Sequence, residues 1–111
     1  MKELVLTPRV ELDLKDIKMY IEEVSGSSET AVNHIANLMN CYGKLSDFPL
    51  LGKDMSSGKG LKFNYRYLIC GNYFVYYKFQ NNVVRIFRIL NSKRDFLRIL
   101  YRDLINEENK S

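Results

Sequence analysis

The hydrophobic period of this chain changes partway along, from helical before about residue 50 to extended after about residue 60, and that change decides the fold class. In the first half Val10, Leu14, Ile17, Ile21 and Val24 recur at three- and four-residue intervals, with Glu11, Asp13, Lys15, Asp16, Lys18, Glu22 and Glu23 on the other faces. That pattern predicts an amphipathic helix of about four turns. Thr7 is placed to cap it and Pro8 to open it, where a missing N–H costs nothing. A short strand over "ELVLT", residues 3–7, precedes the helix. "SGSS", 25–28, ends it, since Gly26 tolerates a left-handed backbone and the serines can cap a second helix. The stripe of that helix is Ala31, Ile35, Leu38, Tyr42 and Leu45, and the short connection makes the two helices antiparallel neighbours. "SDFPLLG" ends it, because the residue before Pro49 is pushed away from the helical region.

After an aperiodic loop, "KDMSSGKG" at 53–60, three extended runs follow: "LKFNYRYLIC", "YFVYYKF" and "VVRIFRIL". Gly71-Asn72 and "QNN" separate them at hairpin spacing, so they read as an antiparallel meander. "SKRDFLRILYRDLI" then suits a short closing helix capped by Ser92. The expected architecture is α+β: an N-terminal strand and an antiparallel helix hairpin packed on an antiparallel β-meander, with a short C-terminal helix. At 111 residues the chain suits one domain, 1–111, whose polar end from about 104 reads as a flexible tail. Alternation places Lys62, Asn64 and Arg66 on one side of their strand, which we expect to be the open one, opposite Leu61, Phe63, Tyr65 and Tyr67.

Charge is divided along the chain. Residues 1–58 carry six Lys/Arg against nine Asp/Glu, whereas residues 59–111 carry eleven against four. A balance this local implies a positive face that attracts phosphates or an acidic protein segment. No apolar run is long enough for a membrane span, and the N-terminus turns acidic too early for a signal peptide, so a cytoplasmic location is expected. Cys41 and Cys70 lie in apolar patterns without metal-ligand spacing and read as buried small hydrophobes. His34, the sole histidine, sits beside the apolar stripe of the second helix and reads as structural.

The run "YRYLICGNYFVYYKFQNNVVRIFRILNSKRDFLRIL", 65–100, resembles the sheet and closing helix of RelE/ParE-type toxins of bacterial type II toxin–antitoxin modules. In that family a strand ending in a Gly/Asn-Tyr turn precedes a Tyr-rich strand, and the next strand closes with Arg-Val-Leu-His-Gly-Arg-Arg-Asp. Here the pattern reads Arg88-Ile89-Leu90-Asn91-Ser92-Lys93-Arg94-Asp95, with Asn91 for the usual histidine and Ser92 for the usual glycine. The helix hairpin and the connection "FPLLGKD", 48–54, extend the resemblance over residues 3–102.

The resemblance implies a growth-inhibiting toxin neutralised by a cognate antitoxin, with no cofactor, metal or small-molecule substrate. ParE-like members act on DNA gyrase and RelE-like members cleave mRNA on the ribosome, so whether the chain is an enzyme depends on the branch. The two lysines of histidine-free RelE-like nucleases fall on Tyr65 and Tyr67, and the arginine after their turn tyrosine falls on Phe74. Only the closing arginine remains, as Arg94, while the tyrosine of the last helix falls on Leu100, with Tyr101 one place later. A replacement catalytic set on the RelE-like reading is Lys62, Arg66, Lys93, Arg94 and Tyr101. A guanidinium cannot move a proton at biological pH, however, and a lysine can do so only where its surroundings lower its pKa. The missing site inclines the reading to gyrase, with ribosome-dependent RNA cleavage or a non-toxic nucleic-acid-binding module as alternatives. The surface for target or antitoxin is expected over Lys62, Arg66, Arg85, Arg88, Lys93, Arg94 and Arg98.

Overall fold

The computed structural model describes residues 2–54 and 65–91, together with Arg102. Strand β1 (Glu3–Leu6) leads into helix α1 (Pro8–Ser25) and helix α2 (Ser28–Gly43), followed by one 3-10 turn, Lys44–Ser46. Strands β2 (Lys53–Asp54), β3 (Tyr65–Cys70), β4 (Tyr73–Gln80) and β5 (Val83–Leu90) complete a five-stranded sheet ordered β1-β5-β4-β3-β2. β3, β4 and β5 form the expected meander, and β1 lies parallel to β5 at its edge. The closing helix from Ser92 and the tail from 104 lie outside the described residues.

The helix boundaries follow from their caps. Thr7 Oγ1 accepts from Val10 N at 3.4 Å, Pro8 opens α1, and Gly26 ends it at φ +69° with its N–H donating to Glu22 O at 2.8 Å. Ser27 Oγ then accepts from Thr30 N at 3.1 Å and starts α2. α1 runs for 18 residues, a turn longer than its apolar stripe predicts, and Val24 at the end of that stripe is exposed.

The core lies between the helix hairpin and one face of the sheet. Val10, Leu38, Tyr42 and Leu45 pack there against Cys70, Tyr73, Val75, Tyr77, Val84, Ile86 and Ile89. Each aliphatic side chain fully buried in it contributes about 1.5–3 kcal/mol.

Three expectations are corrected. Cys41 and Cys70 are joined as a disulfide, their Cα atoms 5.8 Å apart, rather than standing as separate thiols. The last turn of α2 and the end of β3 meet within the range in which two cysteines can bridge, which separate apolar patterns cannot reveal. Lys53 and Asp54 are not loop but a two-residue strand paired with Tyr67 and Arg66. Finally, Arg66 is on the helix-covered side of the sheet, in step with the core residues Leu68 and Cys70, and the tyrosine side of β3 faces away.

Candidate functional site

β5 is longer than its neighbour β1, and the excess is where charge enters the fold. Pairing of β1 with β5 stops at Leu6 and Ile86. Beyond it the cap and the helix of α1 supply the missing partners: Thr7 N donates to Ile86 O at 3.2 Å, Thr7 Oγ1 to Phe87 O at 3.5 Å, and Ile89 N to Asp13 Oδ2 at 3.0 Å. The same carboxylate oxygen accepts from Arg88 Nε at 3.0 Å, and Arg88 Nη2 donates to Oδ1 at 3.4 Å. Asp13 is 6% exposed and the Arg88 side chain 13%, so this is a buried ion pair, with Arg9 Nε adding an exposed contact at 3.5 Å. Arg88 is therefore held inside the fold, by an acid on α1.

A bulge on β5 makes this possible. Tyr76 pairs with Arg88 and Tyr77 with Ile86, leaving Phe87 as the extra residue. Phe87 joins the aromatic cluster on the sheet face away from the helices, stacked on Tyr76 at 6.2 Å between ring centroids and edge-on to Tyr65 at 6.0 Å. Tyr67 and Phe74 lie farther along the same face, half-buried, with Ile69 exposed. At the other end of that face Lys78 stands opposite Arg85 across the β4–β5 pair, with Lys78 Nζ over the Tyr65 ring at 5.3 Å. Arg85 is exposed, and the two line a small surface hollow with Gln80, Asn81 and Val83. The pairing sets two cationic side chains next to each other at this end of the outer face.

Arg66 serves a different purpose. Its Nη1 donates to Gly52 O at 2.8 Å, while Gly52 N donates to Tyr77 Oη at 2.9 Å and Tyr77 Oη donates to Pro49 O at 2.7 Å. Burial pushes the Tyr77 phenol above the usual 10.0, with the Gly52 hydrogen bond and the Arg66 charge opposing the shift. A Cβ on Gly52 would lie 2.6 Å from Tyr67 O and 2.8 Å from the Tyr77 hydroxyl, so the connection approaches the sheet as closely as it does only because residue 52 is glycine.

His34 is half-buried on α2, where a 2.7 Å hydrogen bond joins its Nε2 to Tyr73 Oη. Burial, then the nearby Tyr20, raise the Tyr73 phenol. Its role is structural, tying α2 to the start of β4.

Among the described residues the sequence-predicted cations thus occupy three places: Arg66 against the 49–52 connection, Arg88 against α1, and Arg85 on the outer face beside Lys78. Lys62, Lys93, Arg94, Arg98 and Tyr101 lie outside the described residues. Lys78 went unmarked in the sequence, although its place two residues from the end of an alternating strand, facing Arg85 once the "QNN" turn fixes the register, could have signalled it.

No helix among the described residues is long and apolar enough to cross a membrane. No curated protein matches the chain in sequence. Among solved structures, a chain of the chromosomal ParDE TA system from P. aeruginosa superposes with a TM-score of 0.70, covering 84% of this chain and 98% of that one at 18% identity, a likeness of fold. In sequence, the family described as "ParE toxin of type II toxin-antitoxin system, parDE" matches residues 4–96. Because that match runs from β1 through both helices and past the end of β5, this chain belongs to the ParE toxin family of type II toxin–antitoxin systems.

Proposed function

We propose that this chain is a growth-inhibiting toxin held inactive by a cognate antitoxin, and that it acts on DNA gyrase rather than by cutting mRNA. The observation that carries the reading is the chemistry of the outer sheet face. Where the resemblance to histidine-free RelE-like nucleases calls for two lysines and an arginine, this face has Tyr65, Tyr67 and Phe74, and Tyr65 is 1% exposed and packed against Phe87. Cleavage by the RNA 2′-hydroxyl needs one group to take a proton, another to give one and cations to hold the phosphorane. At these three positions no cation is left to hold the phosphorane and no lysine or arginine to take part in the transfer. His34, the residue best suited to proton transfer near neutral pH, is engaged with Tyr73 on the helix side of the sheet.

The same face suits the antitoxin. An acidic, amphipathic segment laid along it would set carboxylates against Lys78 and Arg85 and cover Tyr67, Ile69 and Phe74, folding as it binds. Lys62, Lys93, Arg94 and Arg98 belong to the same proposal as further cations for antitoxin or target. Arg85→Glu should weaken antitoxin binding at least about tenfold and reduce its salt dependence, as reversal of a rim charge does.

Brief expression of the chain, with plasmid supercoiling and transcript integrity followed together, separates the mechanisms. Relaxed or cleaved plasmid with intact mRNA is the expected result. Cleaved transcripts with early loss of translation would overturn the gyrase assignment. A toxin of this kind must also be silenced by the small protein encoded beside it. Failure of that protein to restore growth or to form a complex would remove the module itself.

A further inference from the structure

We propose that the Cys41–Cys70 pair is a redox-responsive staple that sets the stability, and so the working lifetime, of the folded toxin. Cys41 lies in the last turn of α2 and Cys70 ends β3, 29 residues on, with Cα atoms 5.8 Å apart. Their bond joins two elements that otherwise meet sparingly. On the same helix face, seven residues before Cys41, His34 holds Tyr73, the residue that pairs with Cys70 across the β3–β4 hairpin. α2 is therefore tied to the tip of that hairpin twice, once by a hydrogen bond and once by a covalent bond that thiol chemistry can open.

The ring closed by this bond contains Gly52 and Arg66, which are hydrogen-bonded to each other, and Tyr77 on β4, outside the ring, holds Gly52 as well. Joining the ends of such a segment removes freedom from the unfolded chain and leaves the packed one unchanged. Cys70 is 4% exposed and Cys41 half-buried, so Cys41 is the accessible sulfur. Its thiolate attacks a low-molecular-weight disulfide such as oxidised glutathione, releasing one thiol and forming a mixed disulfide. The Cys70 thiolate then displaces the second thiol, so the protein loses two electrons and two protons and the oxidant leaves as two thiols. In a reducing compartment the pair stands open, and an oxidising episode closes it. The inference is independent of the toxin's target.

The test is thermal unfolding of the intact chain equilibrated with oxidised glutathione or with dithiothreitol, the bond state being read by maleimide labelling and intact mass. A loop of this length should raise the midpoint of the oxidised form by about 10 °C or more, with neither thiol labelled. The double variant Cys41→Ala/Cys70→Ala should melt at one temperature under both conditions, and should still arrest growth. Should that variant fail to fold, the wild-type comparison stands by itself. Coincident wild-type midpoints, or two labelled thiols after equilibration with oxidised glutathione, would overturn the proposal.

Discussion

Asp13 carries two obligations with one carboxylate, completing the hydrogen bonding of β5 at Ile89 and neutralising Arg88. Asp13→Ala takes the carboxylate away from a guanidinium and a backbone N–H in a site only 13% open at the arginine, a loss of about 3 kcal/mol, the lower end for breaking a buried ion pair. Asp13→Asn keeps an oxygen for Ile89 N and should cost less, about 1–3 kcal/mol. Urea midpoints of the two variants check the order, and equal losses would mean that the oxygen kept by asparagine contributes nothing and that the charge of Asp13 carries the whole effect. An acid partner for Arg88 could be expected from a long cation within a strand. Which acid it is could not, because α1 offers several carboxylates and the pairing spans 75 residues. At the other end of the sheet, Tyr77→Phe strips the hydrogen-bond partner from Gly52 N and Pro49 O and should cost about 1–3 kcal/mol. Gly52→Ala must displace the Tyr67 carbonyl and should cost at least as much by the same measurement.

The elements differ in how openly the sequence declares them. α1 is set by local chemistry at both ends, a capping hydroxyl at one and a left-handed glycine at the other, whereas α2 begins at its Ser27 cap but stops at Gly43 and tightens into the 3-10 turn Lys44–Ser46, ahead of the restriction before Pro49 that the sequence offers as its end. The meander is legible from local chemistry as well, since two-residue turns at Gly71-Asn72 and Asn81-Asn82 fix its register. Both asparagines of the second turn have positive φ, +56° and +64°, the backbone of a type I′ hairpin. Asn82→Gly should therefore stabilise the chain by about 0.5 kcal/mol, and Asn82→Val should destabilise it by more than about 1 kcal/mol. Thermal midpoints moving the other way would mean that another turn geometry is used. What local chemistry does not declare is which side of the sheet the helices cover. Alternation separates Arg66 from Tyr65 and Tyr67 but does not orient them, because tyrosines lie on both faces. The two-residue β2 and the bulge at Phe87 are equally silent, being products of pairing rather than of any run of residues.

At the scale of the molecule, the basic second half of the chain does not form one cationic surface among the described residues, because Arg66 and Arg88 are engaged by the opposite, acidic half or its backbone. The core, by contrast, is unusually phenolic, and its response to alkali follows. Burial is the first cause of the raised pKa values of Tyr42, Tyr73 and Tyr77, all above the ordinary 10.0. A phenol that holds its proton more tightly when folded stabilises the fold fully below the unfolded value. That stabilisation is lost as pH rises through the folded one, since the unfolded chain then releases protons that the folded chain retains. Stability should accordingly decline above about pH 10, with phenolate absorbance appearing together with unfolding. Tyr42 isolates the effect. Its hydroxyl is buried with no hydrogen-bond partner among the described residues, and burial is the sole cause of its shift. Tyr42→Phe therefore removes an unsatisfied group without breaking a bond. Urea unfolding should show it neutral or stabilising by up to about 1 kcal/mol at pH 7, with a shallower decline above pH 10. A loss of stability at neutral pH would show that the Tyr42 hydroxyl does have a partner, and would break the link drawn here between burial and alkaline unfolding.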